Sequence, residues 1–89
     1  MVAVEVSEGA RLFKALGDDT RLAILRQLRE QGVVCACDFV AGCTVAQPTV
    51  SHHLKVLRAA GLVSAERRGL WIYYRLEPAA LERVRALLP

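Results

Sequence analysis

No stretch of this chain is apolar for long enough to cross a membrane. Its 89 residues contain no run approaching the roughly 18 that a spanning helix needs. Nor is there a secretory signal: Met1 to Val6 is short, lacks a basic residue and contains Glu5. The chain is therefore expected to stay in the cytoplasm and make no membrane contact. Its three cysteines, Cys35, Cys37 and Cys43, are odd in number and crowded together, which excludes the disulfide scaffold of a small secreted domain. No nucleophile–base–acid set, phosphate-cradling loop or paired carboxylates stand out, so no enzyme is expected. Repeats, low-complexity tracts and linkers are missing too, and residues 1–89 read as one domain.

What is present is apolar for so short a chain. Hydrophobic residues make up 54% of it. A domain of this size buries only about 60% of its unfolded surface, so part of that apolar area is expected to meet a second copy. Charge is divided unevenly. Residues 1–46 carry five Lys/Arg and six Asp/Glu, a net −1, whereas residues 47–89 carry seven and three, a net +4. A basic excess confined to one half suits a nucleic-acid reader.

Hydrophobic spacing predicts the elements. A first helix runs from Ser7, a suitable N-cap, to Leu16, with Leu12, Phe13 and Leu16 on one stripe and Gly17 ending it in the left-handed conformation. A second helix starts at Asp18-Asp19-Thr20 and ends near Gln31, with Leu22, Ile24, Leu25 and Leu28 apolar. Val33 and Val34 form a short link. A short third helix covers the stretch from Cys35–Asp38 to about Ala41, and Cys43-Thr44-Val45 makes a turn. A fourth helix begins near Ala46 or Gln47, with Pro48 in its first turn, Val50, Leu54 and Leu57 as its core stripe and Gly61 as its stop. Residues 62–67 and 70–76 alternate as strands about a tip at Arg68-Gly69. A last helix runs from Pro78 through Leu88, with Leu81, Val84, Leu87 and Leu88 apolar. The fold class is mainly α with a small β-hairpin: a winged helix-turn-helix in the order α-α-α-α-β-β-α.

The fourth helix opens with the side chains that a major-groove reader needs. Gln47 can bond adenine through two atoms; Thr49 and Ser51 can bond bases or phosphates; His52 and His53 add polar reach. Lys55 and Arg58 follow at phosphate-contact spacing, and Arg67 and Arg68 at the hairpin tip suit a wing touching a flanking groove or backbone. Without the hairpin, the helix would read equally well as a solvated surface helix. Helix and wing together favour double-stranded DNA.

Four segments in this order resemble the ArsR/SmtB family of bacterial winged-helix repressors that respond to metalloids and metals. Residues 12–25 are similar to its opening helices, Cys35-Ala36-Cys37-Asp38-Phe39 to its Cys-x-Cys-Asp-Leu box, residues 47–63 to its recognition helix, and Gly69 through Leu76 to its wing strand. Asp19 and Ala46 depart from the usual Pro and Ser. The resemblance implies a homodimer paired through the first and last helices, bound to an inverted-repeat operator and released by ligand.

Cys35 and Cys37 are then the expected sensor, with As(III) or Sb(III) as inducer, other thiophilic metals as further candidates, and no cofactor needed for folding. In a regular helix, residues two apart point about 200° from each other, so the pair can share an ion only if Cys35 precedes the helix or its first turn unwinds. A helix N-terminus should lower the thiol pKa, with Asp38 opposing it. Cys43 is the only other thiol, about 9 Å further along a regular helix and turned by about 240°. It is either a third ligand or a buried apolar residue. Val40 stands where some relatives carry a third cysteine, and the last helix has Glu82 but no histidine, so the His/carboxylate site of zinc and nickel sensors is not expected. Two alternatives stay open: a thiol redox-sensing repressor of the same fold, and a cytosolic thiol metal-carrier or buffer.

Overall fold

The computed structural model describes residues 7–40 and 47–89. Cys43, Ala46 and the turn between them lie outside the described residues. The order is α1 (Glu8–Leu16), α2 (Asp19–Gln31), β1 (Val33–Cys35), a 3-10 turn (Ala36–Val40), α3 (Gln47–Ala59), β2 (Val63–Arg68), β3 (Trp71–Leu76) and α4 (Pro78–Leu87).

The first two helices begin where the capping residues placed them. The Ser7 side chain accepts from Ala10 N–H, and the Asp18 carboxylate accepts from Arg21 N–H. That bond into Asp18 holds its carboxyl below the ordinary value of 3.8. The cap's contribution is therefore complete above that pH and fades as the pH falls below it. Gly17 departs from expectation: its φ of −82° is not left-handed, and its N–H closes onto Lys14 O instead. A tight backbone bond, rather than a positive φ, ends α1.

Val33 and Val34 form no mere link. With Cys35 they make a strand that pairs antiparallel with β3, giving a three-stranded sheet in the order β1-β3-β2. The expected third helix is tighter than predicted, a 3-10 turn over the described residues Ala36–Val40 whose first residue follows Cys35; its expected end near Ala41 lies outside the described residues. The hairpin tip is shifted by one residue, with Gly69 and Leu70 between Arg68 and Trp71. Gly69 adopts φ +62°, the positive value that a two-residue hairpin connection requires at its first central position.

The core joins both halves. Leu12, Ile24, Leu28, Val34, Phe39, Val50, Leu54, Leu57, Leu62 and Val63 are buried in one cluster. The stripe of α3 is as expected. That of α1 holds in part: Leu12 is buried and Leu16 packs against the core, but Phe13 is exposed and Ala15 is buried; on α4 Ala80 is buried and Val84 packs against the core, while Leu81, Leu87 and the following Leu88 are exposed. Phe13 is one residue from Leu12, a rotation of about 100° that carries it off the core face. Arg83 Nε donates to Glu8 Oε1 at 2.9 Å, tying α4 to α1. No helix among the described residues is long and apolar enough to cross a membrane.

Candidate functional site

Two groups of side chains are carried by the same sheet and helix assembly, in which α3 packs against the 3-10 turn. The first is the face of α3. Gln47 opens this helix, and Thr49, Ser51, His52, Lys55 and Arg58 are exposed along it, while Val50, Leu54 and Leu57 turn into the core. Packing of that apolar stripe against α2 and β2 leaves the polar side of the helix in solvent.

His53 does not join that exposed set. Only 12% of its side chain is accessible, and its Nδ1 lies 3.1 Å from an Arg21 guanidinium nitrogen and 3.8 Å from Asp18 Oδ2. Arginine can only donate, so Nδ1 accepts and the ring proton sits on Nε2. The same guanidinium donates from Nε to Ala15 O at 2.7 Å and from its other terminal nitrogen to Lys14 O at 3.1 Å. Arg21 thus closes the carbonyl end of α1, starts α2 beside its cap and steadies α3. Arg21→Lys should remove this fork, because an ammonium cannot span two carbonyls on α1 and a ring nitrogen on α3 at once. The expected loss is about 2 kcal/mol of unfolding free energy in urea titration, the scale of one hydrogen bond from a charged group. An unchanged urea midpoint would show that the clamp holds nothing.

The wing carries Arg67 and Arg68, both exposed. Arg68 donates to Glu66 Oε2 at 3.0 Å, and its guanidinium lies 4.9 Å from the centre of the Tyr73 ring. Arg67 Nε donates back to Gly69 O at 3.2 Å. The tip is therefore pre-ordered. Neither Glu66 nor Tyr73 stood out in the sequence, because their role depends on a cross-strand pairing that spacing alone does not specify.

The second group is the thiol pair. Cys35 is buried as the last residue of β1, and Cys37 is exposed in the 3-10 turn. The condition for sharing an ion is met: Cys35 precedes the helical turn, and the Cys37 thiol donates to Cys35 Sγ at 2.9 Å. Asp38 contributes a carboxylate 3.8 Å from Cys37 Sγ, and one ligand atom from each of Cys35, Cys37 and Asp38 falls within 4.8 Å of the others. The expected lowering of the thiol pKa does not occur at Cys37. Its bond to Cys35, partial desolvation and the Asp38 charge push it up to about 11. A short 3-10 turn has too few aligned peptides to oppose them. Two sulfurs side by side fit a soft, thiophilic ion, and the single carboxylate adds a harder donor.

The register of the sheet links the two groups. Cys35 stands opposite Tyr73, and Glu66 stands opposite the same residue from the other side. One tyrosine thus lies between the thiol site and the wing arginine.

A buried-stripe helix, a preceding cap-and-clamp and a basic β-hairpin define a winged helix-turn-helix regulator. Residues 18–65 match the family described as bacterial regulatory protein, arsR family. The chain belongs to the arsR family of bacterial regulatory proteins. It is 44% identical over 68 residues to the arsenical resistance operon repressor of Escherichia coli, covering 76% of this chain and 58% of that protein. Identity to the Bacillus subtilis arsenical resistance operon repressor is 42% over 76 residues, covering 85% of this chain and 70% of that one. Among solved structures, the homodimeric winged helix-turn-helix DNA-binding domain Mb0332 of Mycobacterium bovis matches with a TM-score of 0.72 at 36% identity, covering 90% of this chain and 70% of that chain.

Proposed function

We propose that this protein is an arsenical-responsive repressor: it holds an inverted-repeat operator as a homodimer in the cytoplasm and releases it when As(III) or Sb(III) binds Cys35 and Cys37. The observation that carries the reading is the position of Cys35. It belongs to the thiol pair and also pairs with Tyr73, whose ring lies beside the wing cation Arg68. A ligand that draws Cys37 and Cys35 into a new geometry pulls on the end of β1, and β1 shares β3 with the wing. The names of the two resistance-operon repressors support the same ligand class. The exposed Phe13, Leu81, Leu87 and Leu88 on α1 and α4 are the surface we assign to the partner copy. A third thiol, Cys43, is included as a candidate third ligand; a Cys43→Ser variant that keeps its response would make it a core residue.

In this reading Gln47, Thr49, Ser51 and His52 meet base edges, and Lys55, Arg58, Arg67 and Arg68 meet phosphates or the flanking minor groove. His53 supports α3 from behind through Arg21. Gel shifts on duplexes selected from random sequence, titrated with As(III), Sb(III), Cd(II), Zn(II) and peroxide, test the whole proposal. Ser51→Ala and His52→Ala should each bring operator and random DNA closer in affinity by about tenfold, the worth of one good base contact. An unaltered ratio would remove those residues from base reading.

Thiol oxidation is the second reading that an observation favours, since the two sulfurs already touch at 2.9 Å. It is the weaker one. The thiolate is the form that attacks an oxidant, and Cys37 is held protonated. Release by peroxide in the absence of any metalloid would reverse this order.

A further inference from the structure

The described residues contain an open cleft of about 500 Å³ between α1 and α3, on the side of α3 that carries His52. Its rim is cationic, with Arg11 and Lys14 from α1 and Arg21 from α2, and His52 from α3 lines it beside them. Its floor is made of small or short apolar side chains, among them Ala15, Val56 and Ala59. Arg21 is committed to its own three partners. Arg11 and Lys14 are different: both are exposed, and neither makes an ion pair among the described residues.

We propose that this cleft seats the DNA backbone, with Arg11 and Lys14 as phosphate contacts additional to those of α3 and the wing. The proposal rests on the DNA-binding reading above and extends it to a third element. Three features point the same way. The rim charge complements a polyanion. The cleft is continuous with the base-reading edge of α3, because His52 lines one and flanks Ser51 on the other. The alanine-rich floor is low and apolar, so a deoxyribose face can approach without burying an unpaired polar group. Arg11 and Lys14 are three residues apart, about 4.5 Å along the helix, and point to one side. Their long stems can reach neighbouring phosphates on one strand. Contacts of this type fix orientation and affinity without reading sequence.

The decisive measurement is the salt dependence of affinity. Fluorescence anisotropy with a duplex selected by the wild-type full chain is recorded between 50 and 200 mM KCl for wild type and for the Arg11→Gln/Lys14→Gln double variant. Each lost phosphate contact should flatten the slope of log affinity against log salt by about 0.9. The preference for the selected duplex over random DNA should be unchanged, and hydroxyl-radical footprints should lose backbone protection. Ala59→Glu, an exposed helical position, sets a carboxylate in the floor and should weaken all sequences alike. Equal slopes and identical footprints for wild type and double variant overturn the proposal, as does full affinity in Ala59→Glu. A wild-type protein with no salt-dependent DNA affinity would overturn the DNA-binding reading itself, and this inference with it.

Discussion

Arsenite should release the wild-type protein from its selected duplex, and Cys35→Ser or Cys37→Ser should keep DNA affinity while abolishing that release. Serine keeps the size of cysteine but offers no soft sulfur donor, so the effect on the ligand is chemical and the effect on the fold is small. Coupling energies between two sites usually lie near 1–3 kcal/mol, which sets the expected wild-type weakening at about 5- to 150-fold. The pH dependence carries further information. Cys37 sits near 11, so at neutral pH it is a thiol and not a thiolate. A divalent ion such as Cd(II) must expel that proton, and its apparent affinity should rise as the pH is raised toward 11. Arsenous acid is neutral and brings its own hydroxides. Two S–H and two As–OH bonds break, two As–S bonds form, and the protons leave as two waters. Its affinity should therefore change far less across the neutral range. A raised thiol pKa thus handicaps divalent ions relative to arsenous acid without a third thiolate. Release that persists in both serine variants would sink the sensor assignment. A Cd(II) response insensitive to pH would remove the selectivity argument.

The helices were legible because their signals are local. Ser7 and Asp18 cap where capping chemistry placed them, and Val50, Leu54 and Leu57 bury as their spacing requires. The wing was legible from alternation around a glycine, to within one residue. What escaped was pairing and tertiary partnership. Val33 and Val34 could not be told from a link, because a three-residue strand has no period of its own and exists only through β3. That strand decides the geometry of the thiol site, since it places Cys35 outside the helical turn. His53 was grouped with His52 as a candidate DNA contact because both open the same helix; the 100° step between them, and the arginine 32 positions earlier, turn its side chain inward while His52 stays exposed. Phe13 was placed on one stripe with Leu12 and Leu16, and the leucines of the last helix were read only as apolar, because spacing alone does not separate a core face from a surface that meets a second copy. Their exposure became intelligible only once Ala15 and Ala80 were seen to fill the interior.

Phe39→Ala should be the most damaging single substitution around the thiol pair. Phe39 belongs to the 3-10 turn that carries Cys37 and Asp38, is fully buried, and meets Tyr74 edge-on with ring centres 5.8 Å apart. It is the apolar anchor of a five-residue turn that has little regular hydrogen bonding to hold it. Truncating a buried phenylalanine costs about 3–5 kcal/mol, from lost transfer energy and from the cavity left behind. A natural domain has only about 5–15 kcal/mol in total, and an 89-residue chain belongs toward the lower end. The variant should be partly unfolded at 25 °C, or melt more than about 10 °C below wild type. Phe39→Leu keeps most of the volume and should stay folded, which isolates the effect on the site. There the turn is less firmly seated, so Cys37 should lie in register with Cys35 for less of the time, and arsenite should bind more weakly even though both thiols remain. Tyr74 pairs with Val34 on β1 and Ala65 on β2, so the same loosening reaches the wing sheet. Phe39→Leu should therefore also reduce the ratio of DNA affinities without and with arsenite. A Phe39→Ala protein within 1 kcal/mol of wild type in urea would mean that the core does not pin the thiol turn; an unaltered affinity ratio in Phe39→Leu would mean that the signal leaves the thiols by another route.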